Sequence, residues 1–206
     1  MPGLKESHDY QLLNSNCYKH RPRDLKVDVS WYVIYLCQGI ILGIVAFIIE
    51  IIEEFSIDWR IAATDEYDDD NLFVAWIIYT LFGILYVGLA AILTVYIGPG
   101  AAGSGTAEMM AYTNGVRYPN FLSVETFLIK IFGVALAVGG GLHVGKEGPL
   151  AHIGSGIGAA LIFFPTKGCN HYFRNERDIR KVIATGAGVG VAVAFASPIG
   201  GTVFAY

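Results

Sequence analysis

The sequence predicts an all-α membrane protein built from tilted and partial helices. Three observations carry that prediction: long charge-free apolar runs, a composition too apolar for a soluble domain, and glycine-rich breaks inside the apolar sequence. The 206 residues are 54% hydrophobic and 16% charged, with a mean hydropathy of +0.50, whereas a soluble domain carries about 25% charged residues. That composition argues against a soluble enzyme. The net charge is only -4, with 14 Lys and Arg scattered among 18 acidic residues, so no basic face exists to hold nucleic acid. Cys17, Cys37 and Cys169 stand far apart, which argues against a disulfide framework or a zinc site. No metal and no cofactor are expected.

Taken in order, residues 1–28 form a polar tail of mixed charge with no apolar core, so no cleavable signal peptide is expected. Within it, Asp9-Tyr10-Gln11-Leu12-Leu13 resembles an acidic dileucine sorting signal. A polar tail with two leucines is the simpler reading. Residues 29–206 form the membrane domain. From Trp31 to Ile49 run nineteen residues without a charge, and from Asn71 to Ala107 thirty-seven, against roughly 20 needed to cross the hydrocarbon. These give two spans, joined by an acidic loop over 53–70 with eight acidic residues and only Arg60 as a cation. Leu122 to Val144 is a third span, with Glu125 and Lys130 near its start. Pro149 to Phe164 is a partial helix of sixteen residues, too short to cross. A linker over 165–181 follows. Val182 to Tyr206 is again charge-free, but is interrupted by Pro198 and the pair Gly200-Gly201.

Glycines four residues apart (Gly39 and Gly43, Gly141 and Gly145, Gly154 and Gly158, Gly186 and Gly190) allow helix backbones to approach closely. Lys5, Lys19, Arg21, Arg23 and Lys26 precede the first span. The positive-inside rule therefore places the N-terminus in the cytoplasm and the acidic loop in the lumen or outside.

The chemistry lies in the breaks. Gly98 to Glu108, Gly139 to Pro149 and Ser197 to Gly201 put glycine, proline and isolated polar residues where a plain membrane helix would have leucine. Irregular backbone at membrane depth is tolerated only where protein or a water-filled cavity covers it, so a pathway is expected. Helices that start at mid-depth present free amides and a positive dipole end, which attract anions.

Two nucleotide motifs are decoys. Gly98, Gly100 and Gly103 match G-x-G-x-x-G, but within a charge-free membrane run rather than a βαβ unit. Gly140 to Lys146 approaches a P-loop, but Glu147 stands where a hydroxyl should hold magnesium.

Glu147, between Lys146 and Gly148-Pro149, opens a helix for which Pro149 is a suitable early residue. An ionised carboxylate there competes with a permeating anion for the same amides, and protonation releases it. This couples anion movement to protons. Alternatively, Glu147 caps the helix or pairs with Lys146 at the interface. Ser104, between Gly103 and Gly105, offers a hydroxyl and unhindered amides that can replace part of a chloride hydration shell. Its other reading is a small residue at a helix crossing. Glu108 reads as a first-turn charge, and His143 and His152 as packing histidines without a metal partner.

These strings resemble a known family. Gly145-Lys146-Glu147-Gly148-Pro149, preceded by Gly139-Gly140-Gly141 and followed by His152-Ile153-Gly154-Ser155, is similar to the GKEGP motif of the CLC family of chloride channels and chloride/proton exchangers. Gly103-Ser104-Gly105-Thr106-Ala107-Glu108 resembles that family's GSGIPE motif, with Thr106 and Ala107 in place of Ile and Pro. Gly186 to Phe195 and Pro198 to Phe204 resemble the later helix before its intracellular proton glutamate. Tyr112 to Val116, with Pro119 and Lys130, is closest to the endosomal, lysosomal and plant vacuolar branch.

The resemblance implies the N-terminal half of the CLC inverted-repeat helical fold, as a fragment of a multi-pass protein that dimerises with itself in full. Chloride and protons would be transported, by a voltage-gated chloride channel or a chloride/proton antiporter, in an endosomal, lysosomal or vacuolar membrane rather than the plasma membrane. Ser104, with Gly103 and Gly105, would coordinate chloride, and a proline at 104 would favour nitrate. Glu147 would be the gating glutamate, with Gly145, Lys146, Gly148 and Pro149 forming the pathway helix end. A different class of function is a non-conducting membrane partner or assembly regulator of full-length subunits. A membrane enzyme using Glu147 with His143 or His152 is weaker, because no nucleophile or second carboxylate stands nearby.

Overall fold

Predominantly apolar sequence without proline forms one helix from Leu25 to Asp68, which runs through Gly39 and Gly43 without a break. The computed structural model describes residues 25–68, 71–116, 118, 120–163 and 176–205, and shows seven α-helices and no strand among them. They are α1 (Leu25–Asp68), α2 (Leu72–Ile92), α3 (Thr106–Thr113), α4 (Val124–Gly139), α5 (Glu147–Phe163), α6 (Glu176–Ala194) and α7 (Pro198–Ala205). Between α2 and α3 the chain passes through a wider π-helical turn, Leu93–Ile97, and then a tighter 3₁₀ turn, Pro99–Ala101. An all-helical architecture with partial helices is the predicted class. The expected sorting string at 9–13, the tail cations up to Arg23, Pro119 and residues 165–175 of the expected linker lie outside the described residues.

Two helical stretches, Val29–Tyr67 and Leu72–Ile97, are long and apolar enough to cross a membrane. At 1.5 Å per residue the 44 residues of α1 extend about 66 Å, twice the hydrocarbon thickness. The acidic segment expected as a loop is therefore a correction: it is the far end of α1. Charge density suggested a loop, but no glycine or proline interrupts residues 44–68, and the charges sort by face. Glu50, Glu54 and Asp58 are exposed, whereas Glu53, Ser56 and Arg60 are buried in line with Ile49. The helix also takes the last four residues of the expected tail.

Three further boundaries move. The third expected span is helical only over the 16 residues of α4, because Gly140 caps it and Gly141 adopts φ +87°. Ser123 starts α4 by accepting from the Thr126 amide at 3.2 Å. The expected linker over 165–181 is helical from Glu176 onward.

α5 is the packing centre, with Leu150, Ala151, Ile153, Ser155, Ile157, Ala159 and Ile162 buried along it. It crosses α6 at backbone contact: a Cβ on Gly154 would meet the Gly186 carbonyl, and one on Gly190 would lie 2.6 Å from Ala151 Cα. α7 packs on α6 in the same way, through Gly188 and Gly201. Gln38 of α1, fully buried, ties the crossing together by donating to the carbonyls of Gly154 and Val182, both at 3.2 Å. The four-residue glycine spacing thus makes a helix crossing at 154, 158, 186 and 190. Around Gly39 and Gly43 nothing lies within 4 Å of an added Cβ.

Gly186→Val is expected to destabilise the protein by about 1–3 kcal/mol through overpacking. Gly43→Ala leaves stability unchanged or slightly raised, as alanine is the better helix former. Thermal melting in detergent, followed by tryptophan fluorescence, measures both.

Candidate functional site

The first break positions Ser104 between two left-handed glycines, Gly103 at φ +69° and Gly105 at φ +82°. A side chain is strained at such angles, and at Gly105 it would also strike the His152 ring. The turn is fixed from below by Lys130 of α4, only 2% exposed, whose Nζ donates to the Gly103 carbonyl at 3.0 Å. Ser104 is exposed, with its Oγ 2.8 Å from Thr106 Oγ1, and helix α3 starts at Thr106. Glu108 lies in the first turn of α3.

The second break leads from Gly140 through the exposed stretch 141–145 to Glu147, the first residue of α5. Leu150 N donates to the Lys146 carbonyl at 2.9 Å, opening the helical hydrogen-bond ladder. Pro149 has no amide hydrogen, so the start of the helix presents the amides of Glu147 and Gly148. Glu147 is half-buried, and its carboxylate curls back against Gly145, where an added Cβ would collide with Oε2.

The two breaks touch. A Cβ on Gly148 would stand 2.6 Å from Ser104 Cβ, so the missing side chain at 148 lets the start of α5 close onto the serine loop. Gly103, Ser104, Lys130, Gly145 and Pro149 line a common cavity of about 660 Å³, together with Thr94 and apolar residues of α2 and α4. The loops that lead into two helix starts, α3 and α5, thus border one cavity beside a buried lysine. Such a space suits a small anion.

The residues singled out in the sequence are distributed plainly. Gly103, Ser104, Gly105, Gly145, Glu147, Gly148 and Pro149 gather at this junction, while Lys146 turns away from it to pair with Glu53 Oε2 at 3.2 Å. His143 is exposed. His152 is a packing residue: its Nε2 donates to the Phe121 carbonyl at 2.9 Å and its ring stacks on Phe121 at 4.4 Å. The third break is separate, with Ala196 at φ +49° and Ser197 Oγ accepting from Gly200 N at 3.2 Å. Sequence reading gave no site role to Lys130. The signal was an uncompensated lysine within an otherwise apolar helix, which is expensive in a membrane unless engaged.

The family model described as Voltage gated chloride channel matches residues 83–206. The chain belongs to the voltage-gated chloride channel family. Among its relatives, chloride channel protein A of Dictyostelium discoideum is 33% identical over 215 residues, covering 98% of this chain and 25% of its own length. Chloride channel protein CLC-d of Arabidopsis thaliana is 34% identical over 98% of the chain and 27% of its own length. The human H(+)/Cl(-) exchange transporter 7 is 31% identical over 97% of the chain and 27% of its own length. The chain therefore spans about a quarter of the length of these relatives. A eukaryotic CLC transporter crystal structure superposes with a TM-score of 0.74 at 23% identity, covering 86% of this chain and 33% of that one. It shares the fold, so the seven helices are a partial CLC helical fold.

Lys130→Met is expected to cost about 1–3 kcal/mol, because it leaves the Gly103 carbonyl without its donor and loosens the serine loop. The detergent melting temperature reads the loss.

Proposed function

We propose that this chain forms the N-terminal half of a chloride pathway in which Glu147 is the gate and Ser104 a chloride ligand. The observation that supports this most directly is the contact of Gly148 with Ser104, which brings the serine loop and the start of the helix that carries Glu147 together. When ionised, the Glu147 carboxylate occupies the position that helix-end amides offer to an anion. When protonated it carries no charge, its hold on those amides weakens, and chloride takes the vacated place. Each release consumes one proton at the Glu147 carboxyl, which ties chloride movement to pH. The neighbouring Lys130 adds a fixed positive charge to the cavity without blocking it, since its ammonium is engaged by the Gly103 carbonyl.

The relatives whose names specify chloride channels and proton/chloride exchange support chloride as the transported ion. We infer a multi-pass protein with a cytoplasmic N-terminus, working as a dimer of identical subunits in an endosomal, lysosomal or vacuolar membrane. The likeness of Tyr112 to Val116 and Lys130 to the organellar branch supports the location.

The test is chloride and proton flux through the complete protein in liposomes across pH 5 to 8. Glu147→Gln is expected to remove the pH dependence and the coupled proton movement; if both persist, Glu147 is not the gate. Ser104→Pro is expected to raise nitrate over chloride by roughly tenfold, equivalent to about 1.4 kcal/mol. An unchanged anion ratio removes Ser104 from the selectivity site.

A further inference from the structure

Ile49, Glu53, Ser56 and Arg60 recur at helical spacing on one face of α1, and all are buried. Three of them grip the loop that leads into α5. A Cβ on Gly139 would stand 2.7 Å from Ser56 Cβ, and one on Gly141 would lie 3.2 Å from the Arg60 guanidinium carbon. Arg60 is itself fixed by Tyr79, to whose hydroxyl it donates at 2.9 Å and over whose ring it sits at 4.3 Å. At the far end of the loop, Lys146 Nζ donates to Glu53 Oε2 at 3.2 Å.

The Glu53 and Lys146 pair differs from an ordinary structural ion pair in two ways. The Glu53 side chain is 6% exposed, yet its second oxygen, Oε1, is buried with no hydrogen-bond partner. A buried carboxylate so held depends on one cation alone. That cation is the covalent neighbour of Glu147, and its side chain is 37% exposed, so it has room to turn elsewhere.

We propose that Glu53 is a positioning residue for the gate: by holding Lys146 it withdraws a cation from the surroundings of Glu147, and so sets the pH at which the gate carboxylate lets go. The proposal rests on the reading of Glu147 as the gate. Other titratable groups on the elements packed there include Glu50, Glu54, Asp58 and Arg60 on α1, Tyr79 and Tyr86 on α2, Glu108 on α3, Glu125 and Lys130 on α4, His152 on α5 and His143 beside the loop. Arg60 is occupied by Tyr79 and Lys130 by Gly103, which leaves Lys146 as the cation whose field on Glu147 changes when Glu53 does.

The signs follow from charge. With Glu53→Gln, Lys146 is unneutralised, the ionised form of Glu147 gains stability, and more acid is needed to release it. With Lys146→Gln the cation is gone and release occurs at higher pH.

The experiment is the pH dependence of chloride flux through the complete protein in liposomes. Glu53→Gln is expected to move the midpoint about one unit towards acid, and Lys146→Gln to move it in the alkaline direction. Shifts in the same direction, or a midpoint unmoved in both, overturn the proposal, because a purely structural loss gives no opposed pair. If Glu53→Gln fails to fold, Lys146→Gln decides alone: an alkaline shift supports the proposal, and an unchanged or acid-shifted midpoint overturns it. Glu147→Gln, run alongside, separates the two readings. A pH dependence that survives it overturns the gate and the positioning role together. One that vanishes with it, yet is unmoved by changes at 53 and 146, overturns the positioning role alone.

Discussion

Two helix starts converge in this chain because residue 148 has no side chain. Even a methyl group there would press into Ser104, forcing α5 away from the serine loop. Irregular backbone at membrane depth needs cover from protein or a water-filled cavity, and the contact of Gly148 with Ser104 supplies part of it. The same requirement recurs along α5. Gly154 meets Gly186, and Gly190 meets Leu150 and Ala151, so the helix that carries Glu147 is held by backbone contact over its length.

The polar groups that support the junction are few, and each has at least one partner. Lys130 spends its charge on the Gly103 carbonyl, Arg60 on Tyr79, Gln38 on two carbonyls at the α5 and α6 crossing, and Glu53 on Lys146. Each would be costly in an apolar interior if left alone. Their partners are in three cases backbone or loop groups released by glycine-rich sequence, so the breaks and the buried polar side chains account for each other. This pairing explains how a chain of such high apolarity tolerates ionisable groups within its helices.

Much of this was legible residue by residue. The class followed from charge-free runs, and the junction residues followed from Gly103 to Gly105 and Gly145 to Pro149, whose pattern also carries the family resemblance. Two things were not legible. The segment after Glu53 read as a loop because its charges were counted without regard to face, whereas the helix sorts Glu53, Ser56 and Arg60 inward and Glu50, Glu54 and Asp58 outward. Glu53 meets Lys146 across 93 residues of chain and Arg60 meets Tyr79 across 19, and no local pattern announces either pairing. The glycine spacing was informative at 154 and 186 but empty at 39 and 43, because spacing permits a close crossing without supplying a helix to make it.

The sequence by itself determined a helical membrane protein, the places where its helices break, and the residues at those breaks that could hold or release an anion. Hydrophobicity, proline and glycine act locally, so their consequences can be read locally. Only the tertiary structure decided that Gly148 rests on Ser104, that Lys130 supports Gly103, and that Lys146 turns to Glu53 rather than to its neighbour Glu147. Those are contacts between segments separated by tens of residues, and they are selected by the packing of whole helices, which no single stretch of chain encodes.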